Sequence, residues 1–208
     1  MKRGRSAAAI SIVVAGLLAL AACSTPQTPQ RQVGGPDFDP FRSSRTEQFI
    51  SSAELLTTVK SPPVHVSIAR LGVDMRIDIE GLEPNGDMSL PVSPFRAGWY
   101  EFGAAPNSLA GATVLAAHVD SSAEGRGPFA ALRSAEQGTE VRVTDQAGTE
   151  HVYRIVSVEK VDKGEVQWNR YFSLVGEPRL LLITCGGEYD YSVGSYDDNY
   201  IVTAEKVS

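Results

Sequence analysis

Residues 64–79 read VHVSIARLGVDMRIDI, and their alternation decides the fold class. Val64, Val66 and Ile68, then Val73, Met75, Ile77 and Ile79, alternate with polar residues, which is the period of half-buried strands and not of helices. Further along, residues 111–119 (GATVLAAHV) and 180–184 (LLLIT) are continuous apolar runs, which predicts central strands buried on both faces. Residues 140–144 and 151–158 flank Asp145-Gln-Ala-Gly148, a turn-rich connection that reads as a hairpin. Residues 200–207 supply a last strand, and residues 128–136 (PFAALRSAE) read as one short helix ending at Gly138. Many short strands with one or two short helices predict a mainly β domain closed, or nearly closed, into a barrel.

Upstream the composition changes. Lys2, Arg3 and Arg5 precede an apolar stretch from Ala7 to Ala22 and the small-residue ending Leu20-Ala21-Ala22, the pattern of an export signal over residues 1–22. That stretch is short of the roughly 20 residues a membrane helix needs. Leu-Ala-Ala-Cys23 resembles a bacterial lipobox, so Cys23 is the expected lipid attachment site, anchoring the protein to the outer face of the cytoplasmic membrane. Residues 23–61, rich in Pro, Gln, Ser, Thr and Gly, read as a flexible tether, with a weak helical pattern over 49–59. The folded domain is then expected over residues 62–208. With 208 residues, 42% hydrophobic, the chain can support one such domain and its appendages. A net charge of −6 with no Lys/Arg cluster beyond the first five residues argues against nucleic-acid binding, which needs a concentrated basic face.

The chemistry-bearing residues are few. The two cysteines are Cys23 and Cys185, so a lipid on Cys23 would leave Cys185 a free thiol in an oxidising compartment. Cys185 ends the run LLLIT before Gly186-Gly187, where small residues would let a substrate backbone approach. It could be buried filler, half of a disulfide with Cys23, or a nucleophile. His118 ends another buried run, whereas His65 and His151 sit where strand alternation sends them to the surface. A cysteine and a histidine at the ends of core strands make a nucleophile and acid/base pair if those strands are neighbours. Asp120 could orient the imidazole or begin a turn; Thr184 could contact substrate or simply favour a strand. Trp99 and Tyr100 read as core residues, and Tyr189 and Tyr196 as substrate contacts in a loop. A zinc site is disfavoured, since the chain has no CxxC or HxxxH pair, and no metal or cofactor is expected.

Together, AAHVDS (116–121), AGWYEFGAAPN (97–107), LLITCGGEYD (181–190) and GSYDDNYIVTA (194–204) resemble the sortases, most closely the class F sortases of actinobacteria, over roughly residues 61–208. The resemblance implies an eight-stranded sortase-like barrel and a transpeptidase of the cell envelope. Cys185 would form a thioacyl intermediate with an LPxTG-like sorting signal near the C-terminus of a secreted protein. His118 would act as general acid/base, and an amine of the cell wall or of another protein would resolve the thioester. Hydrolysis or isopeptide-bond formation by the same pair is a second enzymatic reading. Sortases place an arginine on the strand after the cysteine, but here Asp197, Asp198 and Asn199 fill that segment and no arginine follows Arg179. Asn199, or Arg96, Arg126, Arg170 or Arg179 reaching in from elsewhere, would have to stabilise substrate or oxyanion. Otherwise the chain is a catalytically impaired lipoprotein that binds peptides.

Overall fold

The computed structural model describes residues 59–207. Ten strands follow in order: β1 (Pro63–Ile68), β2 (Val73–Glu80), β3 (Arg96–Tyr100), β4 (Ala112–Ala116), β5 (Asp120–Ser121), β6 (Gly125–Arg126), β7 (Glu140–Asp145), β8 (Glu150–Asp162), β9 (Arg179–Asp190) and β10 (Ser195–Lys206). Eight of them close a barrel in the order β1-β2-β3-β4-β9-β10-β8-β7, and β5 and β6 form a separate small hairpin. β2 with β3 and β4 with β9 run parallel; the other neighbours are antiparallel.

The alternation of residues 64–79 is realised with two departures. Val66, Ile68, Val73, Met75 and Ile77 are buried, while Val64 and Ile79 are exposed. The register of β1 against β7 shifts between Pro63 and His65, and Pro63 takes the inward place that Val64 was expected to hold. The continuous apolar runs are buried on both sides for a visible reason. Leu180, Leu182, Val202 and Ala204 join the main core with Met75, Phe129 and Leu132. Ala112, Val114, Ala116, Leu181, Ile183 and Ile201 join a second cluster on the other face of the sheet. The four-residue helix α1 (Trp168–Tyr171) contributes Tyr171 to that cluster.

The expected helix over 128–136 is a 3-10 helix over Pro128–Ser134, and the chain is extended again at Ala135, before Gly138. Phe129 and Leu132, three apart, are both fully buried, a spacing that three residues per turn places on one side. Signal segment, Cys23 and most of the expected tether lie outside the described residues. Its last part is tied down: the Lys60 ammonium donates to the Gly103 carbonyl (2.7 Å), and the Ser61 amide donates to Asn107 Oδ1 (3.0 Å). Among the described residues no helix is long and apolar enough to cross a membrane.

His151 departs from its expected surface position. It is buried, with Nε2 2.8 Å from Asp145 Oδ2 beneath the β7–β8 turn. Burial alone would raise the Asp145 pKa, but hydrogen bonds from His151, Thr149 and Ser61 outweigh it and hold the carboxyl below its ordinary value. His65 is half-buried and pairs with exposed Asp74 at 2.8 Å.

Candidate active site

The site is built by three adjacent strands. In β4, Ala112, Val114 and Ala116 face the second apolar cluster; in β9, Leu181 and Ile183 do; in β10, Ile201 does. Continuing the period of two puts His118, Cys185 and Asn199 next on that same face. Asn199 pairs directly with Cys185, and Ala116 lies beside Ile183, so extending the β4–β9 register two residues past the end of β4 brings His118 toward Cys185.

β4 ends at Ala116, yet its ladder is carried on. The Ala117 amide donates to the Ile183 carbonyl (3.1 Å), and the buried Thr184 hydroxyl donates to the Ala117 carbonyl (2.8 Å). Thr184 thereby fixes the residue before His118 to the residue before Cys185. Cys185 is a half-buried free thiol, His118 is partly exposed, and Asn199 is 6% exposed.

The two glycines after the cysteine are required by their own neighbours. A Cβ on Gly186 would overlap the Tyr200 ring, and one on Gly187, where φ is 83°, would overlap the Asp198 carboxylate. Both glycines also line one of the cavities that Cys185 borders. Asp198 is in turn paired with Lys160 at 2.7 Å, which raises the Lys160 pKa through that hydrogen bond and charge. Tyr189 and Tyr196, expected in a loop, lie on β9 and β10 and face each other across the ladder, with ring centroids 5.1 Å apart.

Cys185 borders two cavities of contrasting character. One, about 600 Å³, is largely apolar; Leu90, Tyr100, Phe172, Ile183 and Asn199 help to line it. The other, about 470 Å³, is polar and lies between β8–β9–β10 and the segment from Val119 to Arg133.

The candidate arginines differ in their place relative to this second cavity. Arg126 lines it together with Cys185. Arg96 is engaged by Asp78 between β2 and β3. Arg179 starts β9, roughly 20 Å along the strand from Cys185. There its guanidinium donates to the Arg170 carbonyl, and the Arg170 guanidinium itself lies over the Tyr171 ring. Arg133 also lines the cavity and escaped the sequence reading, because nothing local marks a helix-end arginine as facing a distant cysteine.

Asp120 pairs with Arg126 across the small hairpin, and its carboxylate accepts a hydrogen bond from the Tyr196 hydroxyl, so Tyr196 and not His118 is its recorded partner. That bond, with burial and the carboxylate charge, pushes the Tyr196 phenol up to about 12, against a smaller opposing pull from Arg126. Among the described residues no group of three or more His, Cys, Asp or Glu could hold a metal ion.

A family profile described as Sortase domain matches residues 66–207. No curated protein sequence matches the chain. Among solved structures it is similar to sortase C2 of pilus island 1 from group B Streptococcus, at 24% identity over 76% of this chain and 80% of that one, with a TM-score of 0.53. Sortase C1 from Streptococcus suis aligns at 18% identity over 75% and 78% of the two chains, TM-score 0.53. Sortase A from Corynebacterium diphtheriae aligns at 17% identity over 72% and 62%, TM-score 0.53. At these identities the structural likeness speaks to the fold.

Proposed function

The chain belongs to the sortase family, and we propose that it works as a cysteine transpeptidase of the cell envelope, of the class F type that its sequence most resembles. The observation that supports this reading is Cys185 on β9 at the border of two cavities, with Asn199 opposite it on β10 and His118, by extension of the β4–β9 register, on its other side.

The Cys185 thiolate attacks the threonine carbonyl of an LPxTG-like signal. The Thr–Gly amide breaks, a thioester forms on Sγ, and the imidazolium of His118 gives its proton to the departing glycine amine. An incoming amine then yields its proton to His118 and attacks the thioester, re-forming an amide and releasing the thiol. One amide is exchanged for another, so the sequence requires no ATP.

Arg126 takes the role of the arginine missing from β10, directing positive charge at the developing oxyanion from across the polar cavity, while Asn199 lies beside the thiol on β10. The absence of arginine from β10 favours a non-catalytic peptide-binding role, and the place of Arg126 in the cavity that Cys185 borders supports catalysis instead. Lipid attachment at Cys23, with the protein held outside the cytoplasmic membrane, completes the reading; loss of fatty-acid labelling in Cys23→Ser tests it.

The enzymatic claim is tested by incubating a secreted-type fusion ending in an LPxTG-like signal with and without an amine acceptor. Cleavage between Thr and Gly, with the amine joined to Thr, is expected for the wild type and absent in Cys185→Ala and His118→Ala. Cleavage with no amine incorporated identifies a hydrolase, and no cleavage with intact peptide binding identifies the binding module.

A further inference from the structure

The polar cavity beside Cys185 has walls of opposite charge. Its sheet wall, from β8, β9 and β10, carries Asp162, Glu188, Asp197 and Asp198, with Lys160 as the one cation. Lys160 is paired with Asp198, which leaves Asp162, Glu188 and Asp197 as a net anionic surface on the side that holds the cysteine. The facing wall, from the segment after His118, carries Arg126 and Arg133 and no acidic residue that lines the cavity.

A purely cationic amine would be drawn to the first wall and repelled by the second. The arrangement suits a molecule with positive and negative ends, its ammonium on the side of the thiol and its anion toward the guanidiniums, a geometry that Arg recognises by paired hydrogen bonds.

We propose that the acceptor amine belongs to the amino-acid-like zwitterions, an amine that carries its own carboxylate a few bonds away, and that it enters through this cavity while the acyl group stays on the apolar side of Cys185. The inference rests on the transpeptidase reading for its chemistry, but on the charge of the cavity alone for its selectivity. In the step concerned, the ammonium loses its proton to His118, its nitrogen forms the new amide bond with the acyl carbon, the bond between that carbon and Cys185 Sγ breaks, and the second proton lost by the nitrogen returns the thiol. The acceptor's carboxylate takes no part in bond changes; it sets position.

Glycylglycine and glycylglycinamide test this directly, since they share one amine and differ in a single carboxylate. Two readouts are taken on the whole chain at matched pH and ionic strength: the rate at which each amine resolves the Cys185 thioester, and the degree to which each slows alkylation of Cys185 by iodoacetamide in the absence of any acyl donor. Glycylglycine is expected to be better by about fivefold in both, a size suited to one partly exposed ion pair. Arg133→Gln, with its own rate of thioester formation measured alongside as the reference, should bring the ratio of the two dipeptides close to one, and Arg133→Lys should keep most of it.

Equal performance of the two dipeptides, or preference for the amide, overturns the proposal while leaving transpeptidation intact. Preferential protection from alkylation by glycylglycine in a protein that forms no thioester upholds the cavity's selectivity and defeats the transpeptidase reading instead.

Discussion

Replacing the glycines after the nucleophile separates packing from backbone strain. Gly186 is covered by the Tyr200 ring and Gly187 by the Asp198 carboxylate, whereas Gly148, in the β7–β8 turn, has nothing near the place a Cβ would take. Gly148 and Gly187 share the left-handed region, at φ 82° and 83°. Alanine there costs about 1–2 kcal/mol at either position, and the loss of unfolded-state entropy is common to both. Gly187→Ala must in addition displace a carboxylate tethered to Lys160 at 2.7 Å, an overpacking term of about 1–3 kcal/mol. Gly148→Ala is therefore expected to lower stability by about 1–2 kcal/mol and Gly187→Ala by about 2–5 kcal/mol. For a domain of this size each kcal/mol moves Tm by about 2–4 °C. Gly186→Ala lacks the φ strain but pushes on Tyr200, which pairs with Thr184, and should cost about 1–3 kcal/mol. Thermal and urea unfolding of the three variants, with Cys185 alkylation as a local reporter, measure these terms. If Gly187→Ala is no more destabilised than Gly148→Ala, the claim that Tyr200 and Asp198 fill the space above the two glycines is wrong.

The remaining predictions concern the site and the buried titratable groups. Thr184→Val leaves the buried Ala117 carbonyl without its side-chain donor and should cost about 1–3 kcal/mol, with kcat falling more than KM rises because the β4 end that precedes His118 loosens; an unchanged kcat would remove Thr184 from the positioning role. Arg126→Gln should lower kcat by about 10²–10³ with thioester chemistry otherwise intact, while Arg96→Gln and Arg179→Gln, remote from Cys185, should leave kcat within the effect of their stability change. Burial pushes Tyr153 up to about 12, so its folded pKa lies above the unfolded one and its contribution is complete below pH 10 and lost as pH rises to about 12. Two units correspond to roughly 2–3 kcal/mol, and Tyr153→Phe should flatten that alkaline limb in pH-dependent unfolding. Asp145 has the opposite sign: its lowered carboxyl pKa gives stability present above its ordinary value and lost as pH falls through the folded one, so Asp145→Asn should weaken the acid limb.

The barrel was legible because strand alternation is a property of neighbouring residues, and LLLIT and GATVLAAHV announced double burial by having no polar face. Sequence expected both His118 and Cys185 at strand ends; His118 lies just past the end of β4, but Cys185 is in the interior of β9, which continues to Asp190. What sequence could not supply was the β4–β9 parallel pairing that ties Ala117, before His118, to Thr184, before Cys185, a contact between residues 67 apart for which no local pattern exists. His151 misled for a related reason: alternation next to a turn suggested a solvent-facing side chain, but Asp145 from the partner strand offered a buried acceptor. The segment after Gly187 was read as loop because its glycines, aspartates and serines favour turns, yet β9 and β10 continue pairing as far as Asp190 and Ser195, with tyrosine facing tyrosine across the ladder. Arg126 could be named only as one of several arginines, since its place in the cavity that Cys185 borders depends on where the β5–β6 hairpin packs, which no local pattern sets.

The central claim is that Cys185 carries the acyl group. Intact-mass analysis of the protein quenched in acid after mixing with an LPxTG-like peptide, followed by peptide mapping, tests it most directly. The expected result is an adduct equal to the peptide's N-terminal part through threonine, mapped to Cys185, released by hydroxylamine and absent from Cys185→Ala. An unmodified Cys185 under conditions where the peptide is cleaved, or an adduct that persists in Cys185→Ala, would contradict it.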